Sequence, residues 1–257
     1  MLAEMLLARF GSEVVLAVFL LFCRIGACLM IIPGFGSDRI PVRIRLMVAV
    51  AVTLALAPLL LPSVQAAMPD QSLATLVRMI LAELFVGGLL GLLGRAFIAA
   101  LETIGNLAAM SIGLTAMPGM AVEGNEVLPP MASLMTLTAT ALVFITNQHW
   151  ELIRALADSY SAIPPGAGLD MQSGLIRLTD QLANTFLLAL RIGSPFVIYA
   201  VVVNFALGLA NKLTPQIPVY FIAMPFVIAG GLYFLFIVMD EAMLLFLDGY
   251  VTWLKFS

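Results

Sequence analysis

Six long apolar runs constrain this chain more than anything else in it: Val14–Ile32, Val42–Leu61, Met79–Leu101, Leu128–Thr146, Phe186–Leu209 and Val219–Met239. Each exceeds about 17 residues, the lower end for a helix that crosses about 30 Å of hydrocarbon. No stretch alternates with the period of a strand. The expected fold is therefore all-α, a polytopic membrane protein with about six long apolar helices arranged as hairpins. Composition agrees: 62% of residues are apolar and 11% charged, with a mean hydropathy of +1.10. A soluble domain carries about 45–50% apolar and about 25% charged residues.

The breaks between runs are specific. Pro33–Pro41 (PGFGSDRIP) separates the first two, and Pro62–Gln71 the second from the third. The third has no clear stop between Leu101 and Leu114. Met117–Pro130 follows, an apolar loop rich in proline, glycine, glutamate and methionine. Asn147–Asp180 is amphipathic and broken at Pro164-Pro165-Gly166, and Trp150 and Tyr160 in it suit a membrane interface. The last two runs are joined by Asn204–Pro225 (NFALGLANKLTPQIPVYFIAMP). Pro215 and Pro218 cannot continue a helix, so a tight, rigid hairpin tip is expected around Asn211, Lys212, Pro215 and Gln216.

Several functions are disfavoured. The 12 Lys and Arg residues are scattered through a chain of net charge −3, so there is no footprint for nucleic acid. Cys23 and Cys28 read as small buried apolar residues. Residues 1–13 lack a cleanly basic start, so the first run is expected to be retained rather than cleaved. His149 is the single histidine. Asp240 and Glu241 are adjacent and point to different helical faces, so they cannot act as a paired acid and base. No phosphate-binding or metal-binding motif occurs, and neither enzymatic activity, cofactor nor metal is expected.

Polar groups inside the apolar runs carry the remaining information. Arg24, Glu83, Arg95, Glu102 and Arg191 lie in or beside them, with Asn106 and Asn204. An arginine at the bilayer centre costs about 2.5–3.5 kcal/mol even on the mildest scale, so each needs a partner or water. Arg95, Glu102 and Asn106 share one helical stripe, which faces protein or an aqueous path. So many polar groups imply neighbours beyond this chain. Gly87, Gly88, Gly91 and Gly94, and again Gly230-Gly231, form small faces that let helices approach closely. Topology is contradictory. Arg39, Arg43 and Arg45 assign the first loop to the cytoplasm, and strict alternation assigns residues 102–127 there too. Yet that stretch holds three glutamates and no Lys or Arg.

These residues match a known pattern. The block NFALGLANKLTPQIPVYFIAMP, the set Asn147, His149, Trp150, Leu152, Ile153, Ile163, Pro164 and Gly166, and the opening Arg24, Pro33, Gly36, Pro41 and Arg45 resemble the FliR/SctT-like family of type III secretion export-gate subunits. Ala223-Met224 before Pro225, and Tyr220 in place of phenylalanine, depart from it slightly. The resemblance implies a multi-subunit helical assembly in the bacterial inner membrane, at the flagellar basal body. The implied partners are FliP-like, FliQ-like and FlhB-like subunits, unfolded export substrates and membrane lipid. It implies a FliP-like part over 1–168 and a FliQ-like hairpin over 169–257, with a boundary near Leu169–Thr185. It also implies a pore plug within 111–130, where Gly113, Met117, Gly119 and Met120 are the candidates, and a cytoplasm-facing tip at Pro215–Pro218.

The resulting expectation is a non-enzymatic channel subunit of the flagellar export gate, passing unfolded proteins. The alternative is an ion-coupled small-solute transporter using Glu83, Arg95 and Glu102. Internal inverted repeats would support it, and no convincing symmetry is found.

Overall fold

A computed structural model describes residues 2–36, 40–68, 72–114, 120–121, 127–165 and 171–255. Seven helices lie among them: α1 (Leu2–Ile31), α2 (Val42–Ala66), α3 (Leu73–Ile112), α4 (Pro130–Ile145), α5 (Gln148–Ala162), α6 (Met171–Leu213) and α7 (Val219–Leu254). Two-residue strands β1 (Met120–Ala121) and β2 (Val127–Leu128) pair antiparallel between α3 and α4. The class is all-α, as the apolar runs require. Five helices are long and apolar enough to cross a membrane, and a sixth span exists if α4 and α5 are counted as one broken helix.

Helix bounds depart from the apolar runs in instructive ways. α2 does not stop at Pro62. It runs through Pro58 and Pro62 to Ala66, with Leu60 and Val64 buried. Packing outweighs two missing N–H groups there, and Ser63 Oγ donates to Leu60 O at 2.7 Å. α6 and α7 likewise contain Pro195 and Pro225. Both extend well beyond their apolar runs because charged residues such as Asp180, Asp240 and Glu241 lower hydropathy without interrupting backbone hydrogen bonding. α3 runs unbroken to Ile112 and ends at Gly113, whose φ of +80° only a glycine adopts freely. α4 is shorter than its run, at 16 residues. Pro129 is extended before it, and Asn147, left-handed at φ 59° and ψ 22°, separates it from α5. At 1.5 Å per residue it rises about 24 Å, short of a full span.

The chain forms two compact units. One is drawn from Met1–Arg95, Asn147–Gln181 and Val251–Ser257, the other from Ala96–Thr146 and Leu182–Tyr250. In the first, α1 packs on both α2 and α3. Arg45 Nη1 ties the start of α2 back to Gly36 O at 2.9 Å. α3 meets α1 through Gly87, Gly91 and Gly94, which recur on one helical face. A Cβ on Gly91 would lie 2.9 Å from Cys28 O, one on Gly94 would lie 2.8 Å from Ile32 Cγ1, and one on Gly87 would collide with Arg24 O. Gly88 is not part of this face: a Cβ there would meet only Ile31 Cδ1, at 4.0 Å.

In the second unit, α6 and α7 form an antiparallel hairpin. Leu188 packs against Gly249, Phe196 meets Phe234 edge-on at 5.8 Å, and Tyr199 stacks on Phe234 at 5.5 Å. Tyr199 Oη donates to Val227 O at 2.7 Å. The α3 segment from Ala96 meets α4 where Gly105 faces Ala132, and meets α6 where Ile104 and Leu107 face Gly193. At the tip, Thr214–Pro218 closes with Ile217 N donating to Thr214 O at 3.1 Å, and Pro218 O accepts from Phe221 N at 3.0 Å as α7 begins.

Candidate functional site

Among the described residues one charged pair is withdrawn from all contact with the surroundings, Arg24 at 1% exposure and Glu83 at 2%. Its assembly follows from local sequence. Arg24 lies on the inward face of α1 with Leu20, Leu21, Ile25 and Cys28. Gly87, one turn beyond Glu83, removes the side chain that would keep α3 away from the Arg24 backbone. The guanidinium then meets the carboxylate as a fork, Nε to Oε2 at 2.6 Å and Nη2 to Oε1 at 2.9 Å. α5 supplies the remaining acceptors. Nη1 donates to Ser159 O at 3.1 Å and Ser159 Oγ at 3.3 Å, and Nη2 donates to Ile163 O at 3.1 Å. Ser159 O, which also accepts from Ile163 N at 2.9 Å, and Ile163 O belong to the end of α5, the end of a helix that favours a cation. The Tyr160 ring lies under the guanidinium, 3.9 Å from its carbon.

All five N–H groups of Arg24 are thus used inside the chain. None remains for a ligand or ion, so this centre is a knot joining α1, α3 and α5. Sequence reasoning found Arg24 and Glu83 but missed Ser159 and misplaced Tyr160, expected at the interface. The signal was present. Leu152, Ala155, Leu156, Ser159 and Tyr160 are the buried face of α5, at i, i+3, i+4, i+7 and i+8. Trp150, by contrast, is exposed.

The other intrahelical polar residues do not join this centre. Arg95, Arg191 and Asn204 are exposed, and Glu102 and Asn106 are half-buried. Asn204 Nδ2 is satisfied by Ala200 O of its own helix at 2.8 Å. Asn211, Pro215 and Gln216 are exposed at the hairpin tip. Of the plug candidates, Gly113 ends α3, and Met120 pairs with Leu128 in the short ladder. Met117 and Gly119 lie outside the described residues. A cavity of about 10 Å³, lined by Cys28, Leu90, Leu152, Leu156 and Trp253 among others, is too small and apolar to hold a ligand.

A family model described as "Bacterial export proteins, family 1" matches residues 15–251, which include the Arg24 knot, the loop region and the hairpin tip. The chain belongs to the bacterial export proteins, family 1. Several curated proteins similar to this family member carry the name flagellar biosynthetic protein FliR. That of Caulobacter vibrioides is 28% identical over 233 residues, covering 90% of this chain and 91% of its own. That of Escherichia coli is 26% identical over 211 residues, covering 81% and 78%. That of Aquifex aeolicus is 27% identical over 223 residues, covering 86% and 84%.

Proposed function

We propose that this chain is a non-enzymatic subunit of the flagellar type III protein export gate. With FliP-like and FliQ-like subunits, and an FlhB-like subunit docked outside, it forms the closed channel through which unfolded flagellar proteins pass. The observation that carries this reading is the export-family match over residues 15–251, combined with FliR relatives aligned over most of their own length. The surface supports it. Arg95, Arg191 and Asn204 project from apolar helices of the isolated chain, where lipid tolerates them poorly and neighbouring subunits or water would receive them.

In this reading residues 1–168 are the FliP-like part and 169–257 the FliQ-like part, whose core is the α6–α7 hairpin. The loop within 111–130 closes the pore with Gly113, Met117, Gly119 and Met120, and the assembly sits in the inner membrane at the flagellar basal body. Purification of the tagged chain from its own membranes tests the assignment. It should appear once per complex, with FliP-like and FliQ-like subunits in several copies. A chain that purifies alone or as a dimer overturns the reading in favour of a solute transporter. Deletion of Met117–Glu123 tests the plug: the gate should still assemble, and the membrane should become leaky to small ions.

A further inference from the structure

α7 changes character along its length. Between Val219 and Met239 only Gly231 and Leu235 are buried. Beyond them Ala242, Met243, Phe246, Tyr250, Trp253 and Leu254 are all buried, at i, i+1, i+4, i+8, i+11 and i+12 of one helical face. The last turn, from Val251, belongs to the first compact unit, although all of Leu182–Tyr250 belongs to the second. There Trp253 and Leu254 enter a slot whose other walls are Cys28 of α1, Leu90 of α3, and Leu152 and Leu156 of α5, leaving a void of about 10 Å³. Gly94 makes room for the indole: a Cβ there would lie 3.1 Å from Trp253 Cη2.

We propose that the last turn of α7 is a strap that completes the first unit. α1, α3 and α5 associate through the Arg24 knot, and the slot between them closes only when Trp253 and Leu254 arrive, after the whole α6–α7 hairpin has been made. The physical case is that α5 is held at two places by different means. Its end is held by Arg24 through Ser159 O and Ile163 O, using residues of α1, α3 and α5 alone. Its earlier turns, at Leu152 and Leu156, face the strap. The three helices cannot collapse into the slot by themselves. The knot fixes their spacing, and Gly94 brings no side chain to fill the space. A core of this kind loses a large aromatic by opening locally rather than by repacking.

Two native thiols test the strap in the full chain. Cys28 lines the slot, and Cys23 stands beside Arg24 on α1; both are free and buried, and buried thiols are inert. Membranes are treated with N-ethylmaleimide and each thiol is read by mass spectrometry, since trypsin cleavage after Arg24 puts them on separate peptides. In Trp253→Ala, modification of Cys28 should speed up by at least about ten-fold, because loss of a large aromatic favours local opening by more than that. Cys23 should keep its wild-type rate. Phe236→Ala, which truncates an exposed aromatic of the same helix, should leave both thiols unchanged. Cys28 as slow in Trp253→Ala as in the wild type overturns the strap. Equal acceleration of both thiols overturns it too, since Trp253 would then be one residue of a single cooperative core. So does acceleration of Cys28 by Phe236→Ala. Should Trp253→Ala fail to accumulate, Trp253→Leu, which fills part of the slot, is judged by the same criteria. Failure of both to accumulate also overturns the strap, because α1, α3 and α5 would then have no association that precedes it.

Discussion

The apolar span of α1 and the α6–α7 hairpin are similar in hydrophobicity and opposite in how they are used. Half of the α1 span is buried within the chain, against 17% for α6 and 11% for α7. α1 carries Arg24 inward and satisfies all of its donors from α3 and α5. The hairpin carries Arg191 and Asn204 outward and exposes Phe221 at 81% and Phe236 at 78%. One region is finished by its own chain. The other leaves most of its surface outside the packing of its own chain.

The largest effect expected is at the knot. Arg24→Ala leaves Glu83 buried without its partner, a loss of about 3–5 kcal/mol in comparable buried pairs. The protein should fall sharply in membrane abundance and in thermal aggregation midpoint. Replacing both residues by leucine should recover a large part of that loss, since an apolar pair needs no compensation. Wild-type abundance for Arg24→Ala would show that α1 is no more self-contained than the hairpin.

A smaller effect is expected at the glycine face. Gly87→Ala presses a methyl group against the rigid carbonyl of Arg24 and should cost about 1–3 kcal/mol. Gly88→Ala, with only Ile31 Cδ1 at 4.0 Å, should be neutral or stabilising by up to about 1 kcal/mol. Equal melting shifts for the two would mean that close approach to α1 does not set the packing.

The smallest effect on the isolated chain is expected in the hairpin. Phe221→Ala and Phe236→Ala should change its stability by no more than about 0.5 kcal/mol, because neither side chain is packed. Recovery of partner subunits on purification should fall instead. A drop in monomer stability without a drop in partner recovery would place the hairpin in the same class as α1.

Much of this was legible beforehand. The all-α class, the helical hairpin with its proline tip and the continuation of α3 toward Leu114 follow from apolar run length, from the two prolines and from the absence of a stop signal. Membership of the export family was legible in Asn204–Pro225. Less legible are the helix ends: Pro62 reads as a break, yet α2 runs through it to Ala66, and α6 and α7 run past the ends of their apolar stretches. The residue type of Tyr160 suits a membrane interface, but the buried period of α5 points it inward.

The sequence alone determined that the backbone must be helical, since runs of this length and apolarity have no other way to satisfy their N–H and C=O groups in lipid. It also determined which polar residues need partners. Only the tertiary structure decided who those partners are. Arg24 and Glu83 stand 59 positions apart, and Arg24 and Ser159 135. No local pattern encodes such a pairing. It arises because Gly87 lets two helices approach until a guanidinium, a carboxylate and the carbonyl end of a third helix share one buried site.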